Sequence, residues 1–168
     1  KGISSGYQPL SAVAINKRMS DAIVNADSEM AHGYTYSGHP VVCAVAVRNL
    51  ELIAEKKLVG ERGQATSEYF LKQLSLLDDH PLVGQTRGIG LLGGIELVKD
   101  KTTRERFPPE GTAGVACRNH CFNTGVIMRA VGDTMFLCPP LVITNNEIDE
   151  LFRLVRISLD LTLKELKA

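Results

Sequence analysis

The chain opens with Lys1-Gly-Ile-Ser-Ser-Gly-Tyr-Gln-Pro-Leu-Ser-Ala-Val-Ala-Ile-Asn16, a lysine set against a short loop that contains Gly2, Gly6 and Pro9. An apolar run from Leu10 to Ile15 follows the loop. Because this run is short, continuous and bounded by turn residues, it predicts a buried strand. The glycines would let the backbone come close to a flat ligand.

A lysine in such a loop is a candidate nucleophile. An ammonium group at its ordinary pKa of about 10.4 cannot attack a carbonyl carbon, but a desolvated lysine near another cation loses its proton and can form a Schiff base. On residue type alone, an ordinary surface lysine is the commoner alternative. Residue type therefore leaves both alternatives open for Lys1.

The composition is that of an ordinary globular chain. Its 168 residues are 44% hydrophobic and 23% charged with a formal net charge of zero, which indicates one or two domains and no basic surface for nucleic acid. No run of about 18 apolar residues is present to span a bilayer. Cys43, Cys117, Cys121 and Cys138 show no spacing of a disulfide framework, so we expect a reducing, cytoplasmic location.

The segment His32-Gly-Tyr-Thr-Tyr-Ser-Gly-His-Pro40 is rich in turn formers and hydroxyl groups, and an apolar run follows it. Pro40 suits the first turn of a helix, with Ser37 or Gly38 as the cap. The free N–H groups and the dipole of a helix N-terminus favour an anion such as phosphate, to which Thr35 or Ser37 can add a hydroxyl donor. Most capped helix starts bind no anion, so the segment alone does not establish a phosphate site.

The pattern of the chain changes near Lys57. A second amphipathic helix follows, which a proline at position 81 brings to an end. Its apolar residues recur at helical spacing: Phe70, Leu71, Leu74 and Leu77. Short strands joined by glycine turns come next, and we therefore predict two domains, over residues 1–56 and 57–168.

Gly88-Ile-Gly-Leu-Leu-Gly93 formally matches the glycine fingerprint of dinucleotide-binding proteins. That fingerprint needs a helix to open at its end, so that a pyrophosphate can lie on the helix N-terminus. Gly94-Ile-Glu-Leu-Val98 follows instead, which is a strand pattern. We therefore predict antiparallel strands here and no dinucleotide site.

A helix predicted from Thr112 to Asn123 carries Cys117, His120 and Cys121 at spacings that could place three metal ligands on one face. Zinc normally needs a fourth ligand, or an open water position with supporting contacts. No partner cluster is evident in the sequence. We interpret these residues as two packed cysteines and a histidine at the rim, and predict no metal site.

Two strands are predicted around a turn at Gly132-Asp133, with Arg129 at the end of the first. A lone arginine at such a place is usually a solvated strand residue. A capping box at Thr144-x-x-Glu147 then begins a final helix. Its apolar positions are Ile148, Leu151, Phe152, Val155 and Leu159.

Four of these blocks, beginning at Lys1, His32, Arg87 and Gly125, resemble class III aminotransferases in sequence and in order. These are enzymes of the fold type I superfamily that depend on pyridoxal 5'-phosphate (PLP), and the resemblance is to their omega-amino-acid:pyruvate and amine:pyruvate group. It implies an α/β fold, with the end of the large αβα PLP-binding domain over residues 1–56 and the small α+β C-terminal domain over residues 57–168. It also leads us to expect the C-terminal portion of an enzyme.

The resemblance assigns roles to three residues. Lys1 would be the catalytic lysine that carries PLP as a Schiff base. Thr35 would reach across a homodimer interface to hold the cofactor phosphate of the neighbouring subunit. Arg129 would pair with a substrate carboxylate and swing aside for substrates that lack one, and the bidentate geometry of its guanidinium explains why an arginine is used.

The function implied is a ping-pong transfer of an amino group from an amine or omega-amino acid to a keto acid such as pyruvate. In the family, the residues that bond the pyridine nitrogen and stack on the ring lie upstream of the lysine, so we expect these 168 residues alone to be inactive. One alternative is an aminomutase or decarboxylase of the same fold. Another is a non-catalytic fragment that serves in dimerisation or packing.

Overall fold

The computed structural model describes residues 1–26 and 29–167. The chain divides into two compact units, Lys1–Lys56 and Lys57–Ala168, and each is described by itself. Their assignment to the end of a PLP-binding domain and to a small C-terminal domain stays a prediction.

Helix α2 of the first unit (Pro40–Glu55) begins at a proline, as predicted. The predicted caps Ser37 and Gly38 are wrong, because the N-cap is His39, whose side chain makes no capping hydrogen bond. The Ser37 hydroxyl oxygen instead accepts the Tyr34 N–H at 3.1 Å, which closes a turn ahead of the helix. The Ser37 hydroxyl therefore bonds within the turn that precedes α2 and does not cap the helix.

The prediction of a buried strand from Leu10 to Ile15 is wrong in this structure. The run forms no regular element, and Val13 is 90% exposed. A strand needs a neighbouring strand to satisfy its backbone N–H and C=O groups. The described part of the first unit provides helices, α1 (Lys17–Asn25) and α2, and no strand to pair with.

The second unit contains one antiparallel sheet in the order β1-β2-β4-β3. The strands are β1 (Val83–Ile89), β2 (Leu92–Leu97), β3 (Arg129–Val131) and β4 (Thr134–Leu137). The turn between β1 and β2 contains Gly90, whose φ of +59° lies in the left-handed region that favours glycine. Both predicted hairpins are confirmed, including the turn at Gly132-Asp133.

One face of the sheet is buried and the other is open. Ile95 and Met135 are fully buried, whereas Glu96 and Phe136, each one residue further along its strand, point to the other side. This alternation follows the two-residue period of strands. The open face carries Arg129, the residue predicted to bind a substrate carboxylate.

Three helices cover the buried face: α3 (Glu61–Ser75), α4 (Thr112–Thr124) and α5 (Asn145–Leu166). Phe70 on α3 and Phe152 on α5 pack with ring centroids 5.3 Å apart and tilted planes, a favourable aromatic arrangement. The apolar positions predicted for these two helices face the core: Phe70, Leu74, Leu77, Ile148, Phe152, Val155 and Leu159 are buried, and Leu71 and Leu151 are partly buried.

The capping box predicted for α5 is confirmed. The Thr144 hydroxyl oxygen accepts the Glu147 N–H at 3.4 Å, and the Glu147 carboxylate accepts the Thr144 N–H at 2.8 Å. Two N–H groups at the start of the helix are satisfied in this way. Within the described ranges, no helix combines the length and the apolar character needed to cross a membrane.

A buried histidine between α3 and β1 is hydrogen bonded to α5. His80 is 2% exposed, and its Nδ1 accepts the Leu82 N–H at 3.2 Å. Its Nε2 therefore carries the hydrogen and donates to the Asp160 carboxylate at 3.2 Å. Burial lowers the pKa of His80 from its ordinary value, because the imidazolium form is poorly solvated, and the hydrogen bond to Asp160 only partly offsets this.

We expect acid to loosen this contact. The pKa of His80 in the folded state lies below its unfolded value of about 6.5. As the pH falls through about 6.5, the unfolded state therefore binds more protons than the folded state. The free energy of unfolding that His80 contributes at neutral pH is then lost. Hydrogen exchange should show protection of the Leu82 amide falling by up to about tenfold between about pH 7.5 and about pH 5.5.

Replacing His80 by asparagine, which keeps an acceptor but does not titrate, should remove this pH dependence. The matched variant His120→Asn, which changes a histidine at the surface, should keep the wild-type profile. An unchanged profile in His80→Asn would contradict the assignment.

Candidate active site

Lys1 begins a tightly hydrogen-bonded loop. Its carbonyl oxygen accepts the N–H groups of Ser4 at 3.2 Å and Gly6 at 3.1 Å. The buried Ser4 hydroxyl donates to the Gln8 carbonyl oxygen at 2.6 Å. Ser5 and Gly6 have φ values of +52° and +80°, a left-handed conformation that is uncommon for serine. The loop is therefore held in one specific path.

Asn49 on helix α2 binds this loop at three points. Its amide nitrogen donates to the carbonyl oxygens of Gly2 at 3.1 Å and Ile3 at 3.0 Å. Its amide oxygen accepts the Ser5 hydroxyl at 2.7 Å. Asn49 was not identified from the sequence, although an asparagine in the interior of a helix is a signal, because it is a poor helix former.

The Lys1 side chain itself is exposed. Its Nζ makes no hydrogen bond or ion pair with any residue in the described ranges. The primary amine is therefore accessible to a carbonyl compound, but the described residues do not provide the desolvation that would activate it as a nucleophile.

Thr35 lies in the exposed turn that precedes helix α2. The turn is closed by the Ser37 N–H, which donates to the Tyr34 carbonyl oxygen at 2.9 Å. The first turn of α2 carries no acidic residue, and the buried Nδ1 of His39 has no hydrogen-bond partner among the described residues. A positive helix end with hydroxyl and imidazole groups nearby is chemically suited to a phosphate.

The polar groups of the first unit match the aldehyde and the phosphate of PLP in chemical type. Lys1 offers an accessible amine for the aldehyde of PLP, and the turn around Thr35 offers hydroxyl and backbone N–H donors for its phosphate. The unsatisfied Nδ1 of His39 is a further polar group at the same helix end. This agreement concerns the types of donor available, and the three residue roles stay predictions.

Arg129 is the first residue of β3 and does not end its strand, so that detail of the prediction is wrong. It pairs across the sheet with Phe136, on the open face. Glu96, a carboxylate on the same face, lies between Arg87 at 3.5 Å and Arg106 at 3.4 Å. Because Glu96 is engaged by two other cations and no ion pair to Arg129 occurs in the described part of the chain, the Arg129 guanidinium is accessible to an external carboxylate.

The hairpin that carries Arg129 is fixed by Asp133, whose role was not predicted from sequence. The buried Asp133 carboxylate accepts the N–H groups of Gly111 at 3.1 Å and Gly114 at 2.9 Å, at the start of α4. A β-carbon on Gly114 would lie 2.0 Å from the Gly132 carbonyl oxygen, so the close approach requires glycine. A contact between segments about twenty residues apart leaves no local pattern in the sequence.

The interpretation of Cys117 and Cys121 as packed residues is confirmed, since both are buried in the core of the second unit. The neighbouring Cys121 sulfur and burial raise the pKa of the Cys117 thiol. His120 lies at the rim and bonds Glu165 at 2.7 Å. Among residues 1–26 and 29–167, the structure contains no cluster of three metal-binding side chains.

The candidate residues are distributed over both units. Lys1 and Thr35 belong to the first unit and Arg129 to the second. Four surface cavities of the second unit, with volumes between 230 and 470 Å³, are lined by other residues. That the three residues serve one kind of active site stays a prediction from the resemblance.

Comparison with known proteins identifies the family. The family model for class III aminotransferases matches residues 1–158. The putrescine–pyruvate aminotransferase of Pseudomonas aeruginosa is 48% identical over 162 residues, which cover 96% of this chain and 35% of that protein. Gamma aminobutyrate transaminase 1 of Solanum lycopersicum is 38% identical over 157 residues, covering 92% of this chain and 30% of that protein.

Solved structures agree in fold. An (S)-enantioselective omega-transaminase from Thermomicrobium roseum superposes with a TM-score of 0.87 at 40% identity, covering 97% of this chain and 36% of that one. A transaminase with L-alanine gives a TM-score of 0.89 at 39% identity, covering 98% of this chain and 39% of that one. The chain spans about a third of the length of the curated relatives it matches. On the family match over residues 1–158, the chain belongs to the class III aminotransferase family.

Proposed function

We propose that this chain forms about a third of a PLP-dependent transaminase that moves an amino group from an amine or omega-amino acid to a keto acid such as pyruvate. The observation that carries the proposal is the 48% identity, over 96% of the chain, to a putrescine–pyruvate aminotransferase. The similarity to omega-transaminase structures supports it. The substrates would be small molecules, and no nucleic acid or membrane partner is proposed.

Lys1 would hold the cofactor through its Nζ and would also move the proton. When bound, PLP supplies an aldehyde and an electron sink for the carbon–hydrogen bond that transamination breaks. The Nζ of Lys1 is the base that accepts the proton from the donor carbon bearing the amino group. As an acid, it returns a proton when the keto acid is converted to its amine.

Thr35 would complete the site of a second copy in a homodimer. Its hydroxyl would donate to the phosphate, and the N-terminal end of α2 would stabilise the negative charge. The support for this role is the exposed position of Thr35 beside a helix start without acidic residues.

Arg129 would bind the carboxylate of the keto acid in bidentate fashion. Glu96, a carboxylate on the same sheet face, is paired with Arg87 and Arg106. It therefore does not occupy the Arg129 guanidinium, which supports this role. An amine donor without a carboxylate would make no ion pair with Arg129. We also propose a cytoplasmic location, which the four free cysteines support.

The experiment that tests the proposal locates the cofactor in the complete, PLP-loaded enzyme that contains this chain. Sodium borohydride reduction followed by peptide mapping should place the label on the side chain of Lys1. Lys1→Ala should abolish the label and lower kcat at least about a hundredfold, since it removes the proton-transfer group. Wild-type enzyme should form stoichiometric alanine from pyruvate and an amine, as a transaminase does.

Lys17→Ala is the matched control, because Lys17 is an exposed lysine paired with Asp21 and has no proposed role. It should keep both the label and the activity. Finding the label on another lysine of the wild-type enzyme would refute the proposed function of Lys1.

Removal of the Thr35 hydroxyl should weaken cofactor binding. In Thr35→Ala, loss of one hydrogen bond to a charged group should raise the Kd for PLP about tenfold, measured by equilibrium dialysis of the complete enzyme. Thr102→Ala, which changes an exposed threonine of the second unit, should leave the Kd unchanged. Equal values of Kd in Thr35→Ala and wild type would exclude a phosphate contact.

Removal of the Arg129 guanidinium should affect the keto acid selectively. In Arg129→Gln, the KM for pyruvate should rise about tenfold or more, because a charge-assisted hydrogen-bonded pair is lost, while the KM for an amine without a carboxylate should change less than about twofold. Arg118→Gln, on the exposed side of α4, should change neither value. A parallel rise in both KM values would indicate a structural effect and contradict the assignment.

A further inference from the structure

The backbone carbonyl groups of the candidate catalytic lysine and of the next two residues, Gly2 and Ile3, are all hydrogen bonded. The Lys1 oxygen accepts two N–H groups from within the loop, and the Gly2 and Ile3 oxygens both accept from the Asn49 amide. Three consecutive peptide planes therefore have fixed orientations. The backbone from which the Lys1 side chain extends is held by the loop on one side and by a helix on the other.

The side-chain carboxamide of Asn49 hydrogen-bonds to this loop. Both kinds of polar atom are engaged, the nitrogen twice as a donor and the oxygen once as an acceptor, with Gly2, Ile3 and Ser5 as the three partners. An asparagine inside a helix is less favourable than most residues, so a tertiary contact is needed to account for it. All three partners lie within four residues of Lys1.

The contact lies beside the two most buried residues in the described part of the first unit. Ala46, one helical turn before Asn49 and on the same side of α2, is 5% exposed, and Ser4 in the loop is 2% exposed. Of the three bonds made by Asn49, the one to Ile3 is partly buried, and those to Gly2 and Ser5 are exposed. The loop and the helix therefore meet at a defined, locally packed junction.

We propose that Asn49 is a positioning residue for Lys1, which sets the origin of the lysine side chain by anchoring the peptide groups from Gly2 to Ser5. This inference rests on the proposed function of Lys1. An Nζ at the end of four rotatable carbon bonds reaches a substrate carbon reproducibly only if its backbone is fixed, and errors of about 1 Å cost catalytic rate steeply. Asn49 acts through the backbone and does not touch the reacting atoms.

The same helix carries the turn with Thr35 at its N-terminal end. Asn49 follows Pro40 by nine residues, which corresponds to about 14 Å along the helix axis. Through α2, the backbone of Lys1 in one site is joined to the segment proposed to bind phosphate in the neighbouring site. The position of one helix would therefore affect two active sites of a homodimer.

The test replaces Asn49 by aspartate in the complete PLP-loaded enzyme. The variant has nearly the same shape and can still accept the Ser5 hydroxyl, but it loses both donors and sets an oxygen against the Gly2 and Ile3 carbonyls. Two hydrogen bonds are lost, so we expect kcat and the rate of borohydride-trapped labelling of Lys1 to fall about tenfold. The KM for the amine donor should change less than about twofold, because no substrate contact is altered.

Two further variants keep the test decisive. Asn119→Asp makes the same chemical change at an exposed position of helix α4 and should retain wild-type kcat, labelling rate and melting temperature. Ser5→Ala removes only the single bond to the Asn49 oxygen and should lower kcat and the labelling rate about threefold. It provides the same information if Asn49→Asp folds poorly.

A wild-type labelling rate and kcat in Asn49→Asp would overturn the inference and leave the proposed function intact. The inference would also be overturned if kcat of Asn49→Asp fell only in proportion to its folded fraction while Ser5→Ala kept wild-type rates. A label on a residue other than Lys1 in the unmodified enzyme would remove the proposed function, and this inference with it. A selective loss in Asn49→Asp, with Asn119→Asp unaffected, supports it.

Discussion

The three hydrogen bonds between Asn49 and the loop after Lys1 are the contact on which the candidate site depends. The first unit buries little of its apolar surface, since its only buried apolar side chain among the described residues is that of Ala46. Polar contacts with defined geometry therefore determine the path of the chain around the lysine. Such contacts contribute modest net stability but specify position closely, which is what a nucleophile requires.

The second unit is organised by burial. Its helices cover one face of a four-stranded sheet, and the aromatic pair Phe70 and Phe152 lies inside that layer. The other face stays open and presents Arg129, whose hairpin is fixed by Asp133 against the start of α4. The apolar interior thus provides a rigid support for a charged group that an anionic substrate could reach. The roles of Lys1 and Arg129 themselves stay predictions from the family resemblance.

Local patterns in the sequence were sufficient to predict much of this fold. The capping box at Thr144, the hairpin turns and the helical spacing of the apolar residues each depend on contacts within a few residues, so the sequence contains them directly. The run from Leu10 to Ile15 was wrongly predicted to be a buried strand, because strand formation depends on a neighbour that an apolar pattern does not supply. Asn49 and Asp133 were missed for a related reason, since their partners are about twenty to fifty residues away. The candidate residues Lys1, Thr35 and Arg129 came from the family resemblance.

The central claim is that the Nζ of Lys1 bonds to a phosphate-bearing aldehyde whose phosphate is held by a second copy of the chain. A crystal structure of the complete enzyme grown with PLP tests it most directly. The account predicts continuous electron density between Lys1 Nζ and the cofactor, with the Thr35 hydroxyl of the second copy within hydrogen-bond reach of the phosphate. Density that joins the cofactor to another residue, or a phosphate bound far from Thr35 of either copy, would contradict it.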